Sequence, residues 1–409
     1  MVIKLLQPVQ FVILSCLVAT VTNLSAQDEK APISVNAADF PSIQAALDAL
    51  PETGGIVTLP PGTVEISEPL VISTAETRIE GSGASTHIKN TNTEGEPAIR
   101  IQPPNLSEDK KAKLWRIQLG NFRISGNEQS GDGIYAESIQ EIYLEGMSID
   151  HHAGHGIALI NCYEDPRVSD SILTYNSKAG LFIDGAHDII VNANQFEENQ
   201  DAVVCVDAYN LCMNGNNIDD HLGNGIVIEN TYGSVISGNM IEECNGTAIV
   251  LDRDCYGITI SANVITHHIK GGIHLKDANG CTVTGNTFVL THEFAVKLSG
   301  ESGRITITGN NFSNTYIGGG KEKRPPEGKT PMHIDIGTGI VLEGSQHVIV
   351  SGNNFSGLDA GAVKGSGKCR AIMVTGNTIT DINRRSDPPV EAIDLGEAEK
   401  SIVEGNLID

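Results

Sequence analysis

Aromatic side chains are scarce in this chain of 409 residues: they make up 4% of it, and tryptophan occurs once. A surface built to stack sugar rings therefore has little material to draw on. Basic residues are few as well. Lys and Arg number 27 against 51 Asp and Glu, a net charge of −24, which argues against nucleic acid or an anionic lipid surface as the main partner. No Cys-x-x-Cys pair suggests zinc or redox chemistry. Beyond the N-terminus no segment has the apolar length of a membrane span, and none between the strand-like runs has the length of a helix.

The one long apolar run, Phe11–Val21, follows a lone Lys4 and precedes Leu24-Ser25-Ala26. These are the parts of a secretory signal, so residues 1–26 are expected to be removed and 27–409 exported to the periplasm or the outside. Ile13-Leu14-Ser15-Cys16 is a partial lipoprotein signal, which makes anchoring at Cys16 the alternative. The remaining 409 − 26 = 383 residues hold seven cysteines (162, 205, 212, 244, 255, 281 and 369). An odd number precludes complete internal pairing and fits small apolar packing residues.

What the chain does have is a repeat. A phrase of the form Val/Ile-x-Gly-Asn-x-Ile/Phe recurs with its Asn at 194, 216, 239, 263, 286, 310, 353 and 377. The spacings are 22, 23, 24, 23, 24, 43 and 24 residues, and degenerate copies lie near Phe122, Met147, Ser171 and Asn406. A second phrase follows about ten residues later, as in Gly225-Ile-Val-Ile228 and Gly272-Ile-His-Leu275. Short β-branched runs separated by Gly and Asn are strand periodicity, and a fixed period means stacked units. About 23 residues make one circuit of three strands, with the next circuit about 4.8 Å away. The recurring Asn is expected to occupy the left-handed backbone region at a corner and to bond the Asn of the next coil, after a Gly or Ala suited to a crowded bend.

These phrases resemble the right-handed parallel β-helix repeats of the pectate-lyase-like superfamily over residues 36–409. Phe40–Leu50 followed by Gly54–Gly62 is similar to that superfamily's capping helix and first strand, with Ser42 as N-cap. The expected fold is an all-β, right-handed, single-stranded parallel β-helix of about 11–12 coils in one domain, 27–409. The N-terminal cap occupies 36–62 and regular repeats run over 115–409. The resemblance implies that Gly-Ile-x-Leu lines the binding cleft, that the Asn ladder lies between the other two strands, and that the activity is of the carbohydrate-active class.

Phasing the coils on the Asn gives two outward columns on the cleft strand. The first reads Ala158, Phe182, Cys205, Val227, Val250, His274, Lys297, Val341 and Lys364; the second reads Ile160, Asp184, Asp207, Glu229, Asp252, Lys276, Ser299 and Glu343. Four stacked carboxylates, Asp184, Asp207, Glu229 and Asp252, repel one another, so they are expected to hold a cation, for which Ca²⁺ is suited, or to have raised pKa values. A solvated acidic stripe is the plainer account. The sign reverses at His274, Lys276 and Lys297, with Arg253 and Lys270 nearby. The turn before this strand carries Glu197/Glu198, Asp219/Asp220 and Glu242/Glu243, with His151/His152, His221 and His267/His268 in or beside those columns, read as exposed turn residues. His151-His-Ala-Gly-His155-Gly is similar to the Gly-His-Gly of β-helical polygalacturonases, but it precedes every candidate Asp instead of following them. Two basic insertions fall in the same turn, one with Lys321, Lys323 and Arg324, the other with Arg384 and Arg385, and both are expected to bind substrate.

The reading that joins these features is an exported lyase of uronate-containing polysaccharide. Asp184, Asp207, Glu229 and Asp252 would hold the ion, Lys276 or Lys297 would be the base, Arg253 the carboxylate clamp and His274 an auxiliary acid. An inverting hydrolase could use Asp184 with Glu229, or Asp207 with Asp252, about 9.6 Å apart across two coils. A non-catalytic carbohydrate-binding or metal-accessory β-helix is the third possibility. Phe182 and Tyr135 are the only aromatic candidates on the cleft strand.

Overall fold

Alternating β-branched and polar residues give short strands, and Gly- and Asn-rich turns end them after two to seven residues. The computed structural model describes residues 33–268, 270–313, 337–383 and 388–409; the expected signal segment, Cys16 included, lies outside them. Each coil lays one strand in each of three sheets. Among the described residues, the sheet expected to line the cleft, called the cleft sheet below, has 13 strands, from Leu70–Ile72 to Ile393–Asp394; the second has 17, from Ile33–Asn36 to Ile402–Glu404; the third has 14, from Gly62–Ile66 to Leu407–Ile408. Neighbouring strands are parallel and pair residues one coil apart, as in Ile226 with Ile249 and Glu229 with Asp252. The architecture is the expected right-handed parallel β-helix, with about fourteen turns instead of 11–12. The first circuits, starting at Gly55–Thr58, Gly62–Ile66 and Leu70–Ile72, close without the Asn phrase. The only α-helix among the described residues, α1 (Ile43–Asp48), caps the N-terminal end: the Ser42 hydroxyl accepts the Ala45 N–H at 3.1 Å, and Ile43, Ala46 and Leu47 are buried.

Inward residues form continuous columns, because every pairing puts like upon like. Phe288, Phe312 and Phe355 stack with centroids 4.8 and 4.6 Å apart. The seven cysteines are unpaired; six are buried and Cys212 is exposed.

The Asn ladder runs unbroken at the corner between the second and third sheets. The side-chain amide of each Asn donates to the amide oxygen of the next, from Asn194 to Asn406, at 2.9–3.0 Å. Even the 43-residue coil keeps this rung, Asn310 to Asn353. The left-handed backbone sits one residue earlier than expected, at Ala193, Gly215, Gly238, Ala262 and Gly285 (φ 55–68°). The Gly or Ala takes the turn, leaving the Asn free to point inward.

The turn between the third sheet and the cleft sheet has its own buried column, and here the expectation of exposed histidines is corrected. His152, Asn176, Asn199, His221, Cys244 and His268 point inward and are buried. The ring of His268 accepts the Cys244 N–H at Nδ1 (3.3 Å) and meets the Ile241 carbonyl at Nε2 (3.2 Å). Burial pulls His152, His221 and His268 down to about 4. Because the folded value lies below the unfolded 6.5, the stability these neutral rings contribute is complete above pH 6.5 and is lost as the pH falls towards 4. Asn already fills this column at 176 and 199. His221→Asn is therefore expected to reduce the loss of stability between pH 7 and pH 5 by about 2 kcal/mol, measured by urea unfolding at both pH values. An unchanged pH dependence would show that His221 protonates freely in the folded state.

Candidate active site on the cleft sheet

Strand register decides what the outer face presents. The first outward column pairs Arg100, Tyr135, Ala158, Phe182, Val204, Val227, Val250, His274, Lys297, Val341 and Lys364 in succession. Val204 stands where Cys205 was expected, and Cys205 points into the core. The cause is a short turn: three residues separate Asn199 from Val203, whereas four separate the equivalent His221 from Ile226.

The same slip alters the carboxylate row. Asp184 pairs with Val206, Val206 with Glu229, and Glu229 with Asp252. Asp207 lies one residue beyond, in a left-handed turn (φ 51°), still close enough to Asp184 that burial and this second charge raise the Asp184 pKa. Arg253 crosses the row, with Nε 2.5 Å from Glu229 and a terminal nitrogen 3.8 Å from Asp207. Lys276 lies 3.5 Å from Asp252. Three of the four carboxylates thus have a cationic partner, Asp207 and Glu229 in Arg253 and Asp252 in Lys276. Among the described residues, carboxylates and histidines converge closely enough to share an ion at Glu164/His187/Asp188, Glu242/Glu243/His267 and Asp219/Asp220/Glu243, groups that contain none of the four. At the last two, burial and crowding of like charges push Asp219 up to about 6 and Glu243 to about 7. His267 Nδ1 is 3.0 Å from Glu242.

Further along the face, His274, Lys276 and Lys297 come together as expected. Burial, followed by the charges of Lys297 and Lys276, pulls His274 down to about 4, so it is neutral at pH 7. Its Nε2 lies 2.9 Å from the Ser299 hydroxyl, and its ring meets Phe294 edge-on. Lys297 pairs with Glu343 at 2.9 Å and lies over the Phe294 ring. Lys270 is exposed in the turn leading into Gly271–Leu275, the strand that carries His274. Lys321, Lys323, Arg324, Arg384 and Arg385 lie outside the described residues.

The opposite end of the face holds a cluster that sequence reasoning missed. The Arg100 guanidinium lies over the Tyr135 ring, whose hydroxyl donates to Glu137 at 2.8 Å. Burial and that bond push the Tyr135 phenol up to about 12. His155 stacks on Phe182 with centroids 4.7 Å apart and accepts the Ala179 N–H at Nδ1 (3.2 Å), which leaves the neutral ring's proton on Nε2. The cluster's sequence signals were the Gly-His-Gly segment and the two aromatic candidates Tyr135 and Phe182; their grouping with Arg100 was not expected. Small apolar residues, Ala158, Val204, Val227 and Val250, separate the two polar ends.

Among the described residues no helix is long and apolar enough to cross a membrane. Residues 79–211 and 132–288 match the right handed beta helix region family. No curated protein matches the chain in sequence. Among solved structures, the A-module of the Azotobacter vinelandii mannuronan C-5 epimerase AlgE6 is similar at 16% identity over 91% of this chain and 99% of its own, with a TM-score of 0.53. A mutant of the periplasmic alginate epimerase AlgG is similar at 10% identity over 92% and 83% of the two chains (TM-score 0.55). The pre-mature bacteriophage phi29 gene product 12 is similar at 14% identity over 91% of this chain and 56% of its own (TM-score 0.65). At these identities the likeness is one of fold.

Proposed function

The chain belongs to the right-handed β-helix family, and from that premise we propose that it cleaves uronate-containing polysaccharide by proton abstraction beside the sugar carboxylate. The observation that carries this reading is the meeting of a neutral imidazole, His274, with two lysines, Lys276 and Lys297, on the outer face of the cleft sheet, where His274 and Lys297 are half-buried and Lys276 is exposed. The lysines take the substrate carboxylate and His274 takes the proton. The freed electron pair forms a C=C bond as the glycosidic oxygen leaves. Each lysine lies beside a carboxylate, Lys276 by Asp252 and Lys297 by Glu343, and in this scheme both serve charge neutralisation while His274 serves as base. A bound carboxylate also offsets the two charges that depress His274 and so strengthens the base in the complex. Arg253, engaged by Glu229 and Asp207, has no role in this scheme. Similarity in fold to the mannuronan C-5 epimerase AlgE6 and the alginate epimerase AlgG supports the substrate class, since epimerisation at C-5 starts with the same proton abstraction.

The deciding experiment incubates the purified protein with alginate, pectate and glycosaminoglycans, with and without Ca²⁺ or chelator. Elimination is expected to give an unsaturated product that absorbs in the ultraviolet, and the chelator arm tests the calcium expectation. New reducing ends without that absorbance would point instead to hydrolysis by Asp184 and Glu229, two coils apart. C-5 inversion without cleavage would keep the base and change the outcome. No change in any polymer would remove the enzyme reading.

A further inference from the structure

Past the carboxylate row, on the turn into the second sheet, the chain carries an aromatic column outside the cleft. Tyr163, His187, Tyr209, Tyr232 and Tyr256 occupy successive coils, and backbone bridges join the last four. Centroids are 5.4 Å apart from Tyr163 to His187, 6.0 Å from His187 to Tyr209 and 5.6 Å from Tyr209 to Tyr232. Tyr163 and Tyr209 are 43% exposed and Tyr256 is 55% exposed. With only eight tyrosines in the chain, placing four in one exposed column is a concentration that core packing does not require. The ring separations exceed the coil spacing of about 4.8 Å, so the rings are slipped, or tilted between His187 and Tyr209, and leave edges and part of their faces uncovered.

The groups hydrogen-bonded along the column are amides and carboxylates. Asn210 spans to Asp188 at 2.9 Å, and the Tyr232 hydroxyl lies 3.2 Å from Asn230 and 3.0 Å from Asp254. Glu164 converges with His187 and Asp188. Carboxylates and amides beside half-covered rings suit a ligand with apolar ring faces and many hydroxyls, and the negative flank repels an anionic one. A regular ladder, one aromatic per coil, suits a linear ligand that itself repeats.

We propose that the Tyr163–Tyr256 ladder is a binding site for a neutral linear polysaccharide, separate from the cationic end of the cleft. This rests on the ladder alone and holds whether or not the cleft is catalytic. The test is affinity electrophoresis of the mature protein in native gels containing hydroxyethylcellulose, laminarin, galactomannan or alginate. Retardation is expected in at least one neutral gel and not in alginate at the ladder. The double variant Tyr209→Ala/Tyr232→Ala is expected to weaken that retardation about tenfold or more while keeping the wild-type circular dichroism spectrum and melting temperature. His274→Ala is expected to leave it unchanged. If the double variant misfolds, Tyr209→Phe/Tyr232→Phe replaces it: rings without hydroxyls should retain partial binding. Migration unaffected by all three neutral polymers, or retardation that survives loss of both rings, would overturn the proposal. So would retardation by alginate that the tyrosine variants abolish, because the ladder would then accept an anion.

Discussion

His274→Ala is expected to lower kcat on the responsive uronate polymer by about 10²- to 10⁴-fold, the range for loss of a positioned base. The variant should stay folded, because His274 lies on the outer face and its side-chain contacts are one hydrogen bond to Ser299 and an edge-on ring contact with Phe294. Lys297→Met should act differently. It removes an ammonium that both attracts the substrate carboxylate and helps depress His274, so it should raise KM. The free His274 should then titrate at higher pH, moving the acid limb of kcat/KM upward. Both effects are read from pH–rate profiles of wild type and variant. A His274→Ala enzyme within threefold of wild type would transfer the chemistry elsewhere, and the Arg100–Tyr135–His155 end of the same face would be the place to look.

Asn263→Leu is expected to cost about 3–5 kcal/mol of stability, the largest effect foreseen for any single position outside the site. The Asn263 amide oxygen accepts from both the backbone and the side chain of Asn239, and its amide nitrogen donates to Ile236 and Asn286. Leucine would orphan the buried Asn239 N–H outright and strip one partner from each of the others. In a solenoid the damage should be local, with hydrogen exchange accelerating most in the coils carrying Asn239 and Asn286. Val264→Ala, at the neighbouring exposed strand position, is the control and should stay within about 0.5 kcal/mol. A loss below about 1 kcal/mol for Asn263→Leu would mean that the backbone relaxes to satisfy itself without the ladder.

Several features were legible because they depend only on chain period. The spacing of Asn194 to Asn377 specified parallel stacking, and the Gly-Ile-x-Leu phrase marked one sheet. The stack of His274 over Lys297 followed directly, since the coils between Asn239 and Asn310 have matching turn lengths. Features that depend on a local count of residues were not legible. One residue fewer after Asn199 turned Cys205 inward and moved Asp207 off the carboxylate row. The histidines at 152, 221 and 268 sit beside charged turn residues in the sequence, yet their parity points them into the core. The tyrosine ladder escaped notice because its phase drifts by a residue between coils, from 15 after Asn194 to 17 after Asn239.

Periodicity by itself determined the fold, the Asn ladder and the neighbourhood of cationic residues, because repeats of equal length must stack like upon like. Only the tertiary structure decided which carboxylates are already paired, which histidines stay neutral and where the exposed rings line up. Those outcomes turn on side-chain direction, and in a strand a one-residue change in a preceding turn reverses that direction entirely.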